Sequence, residues 1–179
     1  MKRLFVLVTV VFSLIACQAQ SVLGIKFGSS YSDVKEQLEN RFGLYKTYDD
    51  GGSLCMYNIY MGDIEFNSAK FYFQYSGNKS WFNAAEFQKH YPASEVSAAK
   101  NTRDYLFTLI KDKYEDEYLE EFTNEQGFKC YKFGSNPYDE SNVLGIIQLK
   151  RGKGKDGISR LYLFLNYLPI SYVSKSSDF

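Results

Sequence analysis

The chain holds one histidine, His90, and three cysteines, Cys17, Cys55 and Cys130. Acid–base and metal chemistry draw heavily on imidazole and thiolate, so this inventory narrows the field at once. A Ser–His–acid triad has only His90 to use, and that residue stands between Lys89 and Tyr91 at a strand end before Pro92, a bland surface position. No Gly-x-Ser-x-Gly elbow occurs. Two acids converging in a cleft, as in glycoside hydrolysis, stay open, but the acids fall mostly in polar runs that read as solvated. The acidic stretch 115–121 lacks the one-three-five ligand spacing and the central Gly of a calcium loop. We therefore expect no enzyme, no bound metal and no cofactor.

Cys17 belongs to an export signal. Lys2 and Arg3 precede an apolar run, 4–16, whose 13 residues suit a signal-peptide core and fall short of the ~20 needed to span a bilayer. Two cleavage readings compete. Leu14, Ile15, Ala16 and Cys17 resemble a bacterial lipobox, in which the cysteine becomes the lipidated first residue. Alternatively, ordinary cleavage follows Ala19 and leaves Gln20 as the new start. The short stretch 18–23 before the first folded element would make a close tether. The expected location is the periplasm or the periplasmic face of the outer membrane, with no integral span. In that oxidising compartment Cys55 and Cys130 are a disulfide candidate. A bond closing a loop of about 75 residues would constrain the unfolded chain by about 4 kcal/mol. Two buried free thiols are the alternative.

Losing residues 1–19 leaves 19 basic against 21 acidic side chains, a formal charge of −2. Near-neutrality argues against a nucleic-acid partner, which needs a concentrated basic surface to displace counterions. The densest basic cluster, Lys150, Arg151, Lys153, Lys155 and Arg160, is set among Gly152, Gly154 and Gly157. It reads as a solvated hairpin, because it lies between strand-like runs and no phosphate-loop arrangement is present.

The elements that must carry these groups follow from periodicity. Ser30 with Asp33 three residues on matches a capping box, and Val34, Leu38 and Phe42 then recur at a spacing of four until Gly43. Phe27 should pack beside this helix. Asp49-Asp50-Gly51-Gly52 reads as a turn, and Cys55, Tyr57, Ile59 and Met61 alternate as one face of a strand. A second strand, 64–75, changes parity near Asn67-Ser68, which implies a bulge or break there. A third strand, 81–91, ends at Pro92. Over 94–114 the pattern turns helical, with Val96, Ala99, Leu106, Leu109 and Ile110 on one stripe. The acidic stretch then reads as a connector. Strand-like runs follow over 128–133, 143–151 and 158–168, the last with Leu161, Leu163, Leu165 and Tyr167 on one face, and the tail 171–179 should be loose.

The order is helix, three strands, helix, three strands, and Gly52-x-x-Cys55 is matched by Gly127-x-x-Cys130. The expected fold is therefore α+β, two tandem helix-plus-three-strand units, 20–92 and 93–170, forming an antiparallel sheet with the helices on one face. The opening run from Gly24 through Ser30 and Asp33 to Lys35 resembles the start of small uncharacterised exported proteins of Bacteroides-type bacteria. More distantly, a capped helix followed by antiparallel strands, repeated once, is similar to the tandem modules of the β-lactamase inhibitor protein and of small outer-membrane assembly lipoproteins. That resemblance implies binding to other proteins by a sheet face or loops, and no catalysis.

Aromatics supply the remaining signal: 16 Tyr, 15 Phe and one Trp exceed the obvious needs of a core of this size. Tyr60, Tyr72 and Trp81 would sit on the second face of the first strands and make a flat, amphipathic surface. We expect an exported binding module that recognises an envelope protein through this face, with glycan binding or processing as the alternative. Mass spectrometry of the mature protein should find its first residue at an acylated Cys17 or at Gln20; a chain that keeps Met1 would refute the export reading.

Overall fold

The computed structural model describes residues 21–112, 119–134 and 143–169. The expected signal segment with Cys17 and the expected tail 171–179 lie outside the described residues. β1 (Ser21–Val22) and β2 (Ile25–Lys26) make a small hairpin through Leu23 and Gly24, both at positive φ, the geometry of a type I′ turn. Phe27 follows and stacks on Phe82, with ring centroids 4.7 Å apart, in the same core cluster as Val34 and Leu38 of the helix that comes next. Ser30 then accepts a hydrogen bond from the Asp33 amide at 3.2 Å and satisfies one of the orphan donors at the start of α1 (Tyr31–Phe42). Val34 and Leu38 bury one stripe of this helix, and Gly43 at φ 109° ends it.

Eight further strands form a single antiparallel sheet. They are β3 (Tyr48–Asp50), β4 (Ser53–Met61), β5 (Ile64–Ser76), β6 (Lys79–Pro92), β7 (Leu119–Thr123), β8 (Lys129–Gly134), β9 (Val143–Lys153) and β10 (Ser159–Tyr167), with α2 (Val96–Lys111) between β6 and β7. The spatial order is β3-β4-β5-β6-β10-β9-β8-β7. The expected two tandem helix-plus-three-strand units are thus corrected: each helix is followed by four strands, and all eight belong to one sheet. The missed strands are the two edges. β3 occupies the Asp-rich segment read as a turn, and β7 takes in Glu120 and Glu121 from the stretch read as a connector. Half-exposed edge strands have no apolar alternation to reveal them.

One core lies between a single face of this sheet and both helices. It joins Val34 and Leu38 of α1 and Ala99, Leu106 and Ile110 of α2 to Phe66, Phe71, Phe82, Phe87, Leu163 and Leu165. The phenylalanines interlock edge-on, Phe66 against Phe87 at 5.5 Å and Phe71 against Phe87 at 5.9 Å. Arg103 shares the α2 stripe at 4% exposure. Its Nε and Nη2 donate to Asp104 Oδ1 at 2.8 and 2.7 Å, while Nη1 donates to the Lys129 carbonyl at 3.0 Å, tying α2 to β8. Among the described residues no helix is long and apolar enough to cross a membrane.

Two sequence expectations change in detail. The face assigned to β4 splits at Asn58, which adopts φ 52°: Leu54, Met56 and Ile59 are buried, so Cys55 and Tyr57 point away from the core. The predicted parity change near Asn67-Ser68 sits directly opposite, as buried residues step from Phe66 to Ala69. Among the described residues Cys55 and Cys130 are both free. Cys55 on β4 and Cys130 on β8 have β5, β6, β10 and β9 between them, so five spacings of ~4.8 Å put them roughly 24 Å apart, far beyond the ~7 Å limit for a bridge. The expected Cys55–Cys130 disulfide is corrected accordingly. Matching positions in two meanders that fan out from a shared centre are distant, not adjacent.

β9 holds a close approach that needs glycine. Gly145 pairs with Phe133 on one side and Tyr167 on the other, and a Cβ there would run into the Phe133 ring and the Asn166 carbonyl oxygen. Since the carbonyl is backbone, it cannot swing aside. Gly145→Ala should lose about 2 kcal/mol of stability, as overpacked core positions do, read as a lower urea midpoint. An unchanged midpoint would show that the β8–β9–β10 packing is looser than described.

Candidate ligand-binding face

The sheet presents its second face away from both helices, and strand register fixes what stands on it. On β10 the buried set Leu161, Leu163, Leu165 and Tyr167 alternates with Tyr162, Phe164 and Asn166. Cross-strand partners share a face, so one row runs across all eight strands: Tyr48, Cys55, Lys70, Glu86, Asn166, Ile146, Lys132, Glu120. A second row reads Tyr57, Ser68, Gln88, Phe164, Gln148. The third sets Tyr162 between His90 and Lys150.

Tyr162 and Phe164 form the centre of this surface. Their rings lie 6.2 Å apart and 24° from parallel, and both are half-buried. His90 meets the edge of Tyr162 at 6.4 Å. Phe164 has Gln88 on one side and Gln148 on the other. The strip therefore offers two adjacent aromatic platforms, each flanked by a pair of hydrogen-bonding side chains. Both flanks open into depressions. One, of about 510 Å³, is lined by Phe122, Thr123, Asn124, Glu125, Gln126, Gln148 and Lys150, so it holds one acid and one base; the other, of about 550 Å³, by His90, Pro92, Ala93, Ile158, Ser159 and Arg160. Volumes of this size suit a small ligand or one unit of a polymer.

Most charges on this face are matched. Lys70 Nζ donates to Asp50 at 2.7 Å, and that hydrogen bond holds Lys70 protonated and Asp50 ionised beyond their ordinary ranges. Lys132 pairs with Glu120 at 3.1 Å. At the β9–β10 turn Arg160 grips Asp156 through both terminal nitrogens, so the expected basic hairpin is partly neutralised. Lys150 makes no ion pair among the described residues.

Glu86 is the exception among the acids. Burial pushes its carboxyl above the ordinary range, offset only in part by the charge of Lys70. Beside it, the Oδ1 of its cross-strand partner Asn166 is buried without a hydrogen-bond partner. The two side chains stand on neighbouring strands, Glu86 on β6 and Asn166 on β10.

The expected trio Tyr60, Tyr72 and Trp81 is only partly assembled. Tyr72 and Trp81 are neighbours on this face, because Trp81 pairs with Gln74 two residues along β5, and Lys70 Nζ lies over the Tyr72 ring at 5.4 Å. Tyr60 is 54% exposed at the far end, where its partner Glu65 lies seven residues from Tyr72, roughly 23 Å along β5. Tyr162 and Phe164 were missed. The alternation that marked Leu161, Leu163 and Leu165 as core already implied that the residues between them face outward together.

Reactive chemistry is not gathered on this surface. Burial raises the thiols of Cys55 and Cys130 and keeps them protonated, which makes them poor nucleophiles. Among the described residues no three His, Cys, Asp or Glu side chains converge on a point where a metal would sit. Comparison with known proteins finds no matching family model, no matching curated protein and no matching solved structure.

Glu86 yields a test with a definite sign. Its folded-state pKa lies above the unfolded value near 4.5, so ionisation opposes folding once pH rises past that value. Below it both states are protonated and the penalty vanishes. Glu86→Gln should raise the Tm at pH 7 and leave it unchanged near pH 3.5; a Tm gain of equal size at both pH values would exclude the titration as its cause.

Proposed function

We propose that the chain is an exported, non-enzymatic binding module of the cell envelope whose open sheet face holds a glycan. The observation that carries this reading is the Tyr162–Phe164 strip. Sugar rings present an apolar C–H face and a rim of hydroxyls, and they stack on aromatic planes while the rim reaches for polar groups alongside. Gln88, Gln148, His90 and Lys150 stand at that rim, and the two depressions give it room. The periplasmic location rests on the amino-terminal signal features alone.

Recognition of an envelope protein is the second reading, favoured by a separate observation. Tyr72, Trp81, Tyr57 and Tyr48 extend the aromatic surface across β3 to β6, where Tyr48 and Tyr57 lie 5.9 Å apart and both are largely exposed. Breadth of this kind suits a protein interface, whose binding energy concentrates in aromatic anchors.

The readings separate by which residues matter. Affinity electrophoresis of the mature chain through gels containing soluble polysaccharides should show retardation that falls roughly tenfold for Tyr162→Ala and for Phe164→Ala. Tyr72→Ala and Trp81→Ala should leave it unchanged. If no polysaccharide retards the protein, while Tyr72→Ala or Trp81→Ala releases a co-purifying envelope protein, the glycan reading fails and the protein reading stands.

A further inference from the structure

Lys150 is the cation beside the Tyr162–Phe164 strip that has no carboxylate partner among the described residues. Lys70, Lys132 and Arg160 are each held by a carboxylate, at 2.7, 3.1 and 2.5 Å, whereas Lys150 is exposed and without an ion pair among the described residues. Its place is not arbitrary. Register sets it one strand away from Tyr162, about 5 Å, on the side opposite His90. An ammonium beside one aromatic platform, next to the amide of Gln148 and at the mouth of the 510 Å³ depression, is placed to meet an anion at the rim of whatever stacks on that ring.

From this we infer that the ligand is an acidic glycan, a polymer containing uronate sugars, with one sugar stacked on Tyr162 and its carboxylate on Lys150. The inference rests on the glycan reading and adds the charge. Uronates fit because their carboxyl is bonded directly to a ring carbon. It therefore stays at the rim, within reach of a side chain one strand over, when the ring lies flat on the aromatic plane. Phe164, flanked by the uncharged Gln88 and Gln148, takes the neighbouring sugar through hydroxyls. One unpaired lysine beside the strip also matches one negative charge per sugar, which limits the non-specific attraction that a dense basic patch would exert on any polyanion.

The test uses the mature full chain in affinity gels containing polygalacturonate, neutral laminarin, dextran sulfate or poly-L-glutamate. Polygalacturonate should retard the protein more strongly than laminarin, and Lys150→Gln should weaken polygalacturonate binding roughly fivefold and laminarin binding by less than about twofold. Because Lys150 is exposed, this variant should keep the wild-type Tm, which is measured alongside. Equal retardation by polygalacturonate and laminarin, insensitive to Lys150→Gln, overturns the acidic preference and leaves the glycan reading standing. Retardation by dextran sulfate or poly-L-glutamate as strong as by polygalacturonate overturns the uronate assignment. So does polygalacturonate binding that survives Tyr162→Ala and Phe164→Ala, since charge alone would then explain it. No retardation by polygalacturonate or laminarin removes both ideas.

Discussion

The pairing of β6 with β10 is the constraint on which the rest of the molecule depends. Residues Ala85 to Pro92 meet Arg160 to Tyr167 in eight consecutive antiparallel pairs, and this seam alone joins the meander β3–β6 to the meander β7–β10. The sequence separation across it is about 70 residues, so the loop-closure entropy is met by burial on the helix side. There Phe87 and Tyr91 from β6 and Leu161, Leu163 and Leu165 from β10 complete the core. On the other side the same register places Glu86 by Asn166, Gln88 by Phe164, and His90 by Tyr162. A slip of one residue would send Tyr162 and Phe164 into the core and the leucines into solvent. Stability and the proposed site thus rest on the same eight pairs.

A sheet of eight strands has two edges to protect, and both are blunted. β3 covers only Ser53 to Cys55 of β4, and beyond it Asn58 at φ 52° kinks the uncovered stretch so that it cannot present a straight ladder. β7 is five residues long. It carries Glu120 and Glu121, which pair inward with Lys132 and Lys129. These polar edges explain which parts of the fold were legible in sequence. The helix α1 was readable from Ser30, Asp33 and Gly43, because a cap and a stop are local chemistry. The parity change in β5 was readable from its phenylalanines. β3 and β7 were not, since a strand that pairs on one side and meets water elsewhere needs no apolar alternation. Counting three strands per half followed directly.

The candidate site was legible in kind and not in place. An aromatic second face was expected, and Tyr72 and Trp81 stand on it as neighbours. Grouping them with Tyr60 failed because sequence proximity in a hairpin says nothing about position along the strands, and the β4–β5 turn carries Tyr60 to the opposite end. Tyr162 and Phe164 come from the other half of the chain, and only the β6–β10 register, a long-range fact, sets them beside Gln88 and His90. The Cys55–Cys130 pairing failed for a related reason. Equivalent positions on either side of a central seam are mirrored outward, so the similarity that suggested a bond is what separates the sulfurs.

Unsatisfied polar groups stand on both faces of the sheet, and the open face adds half-buried aromatic rings to them. On the helix side the buried Arg103 is satisfied by Asp104 and the Lys129 carbonyl, while the Tyr91 hydroxyl is buried with no hydrogen-bond partner among the described residues. On the open side, Glu86 is desolvated without a strong partner, Asn166 Oδ1 is buried and unpaired, Lys150 has no carboxylate, and Tyr162 and Phe164 leave ring surface to water. Of these, the desolvated carboxyl and the orphaned acceptor oppose stability, the latter by about 1 kcal/mol or more. Those on the open face lie within three neighbouring strands, beside the aromatic strip to which the proposed ligand is assigned.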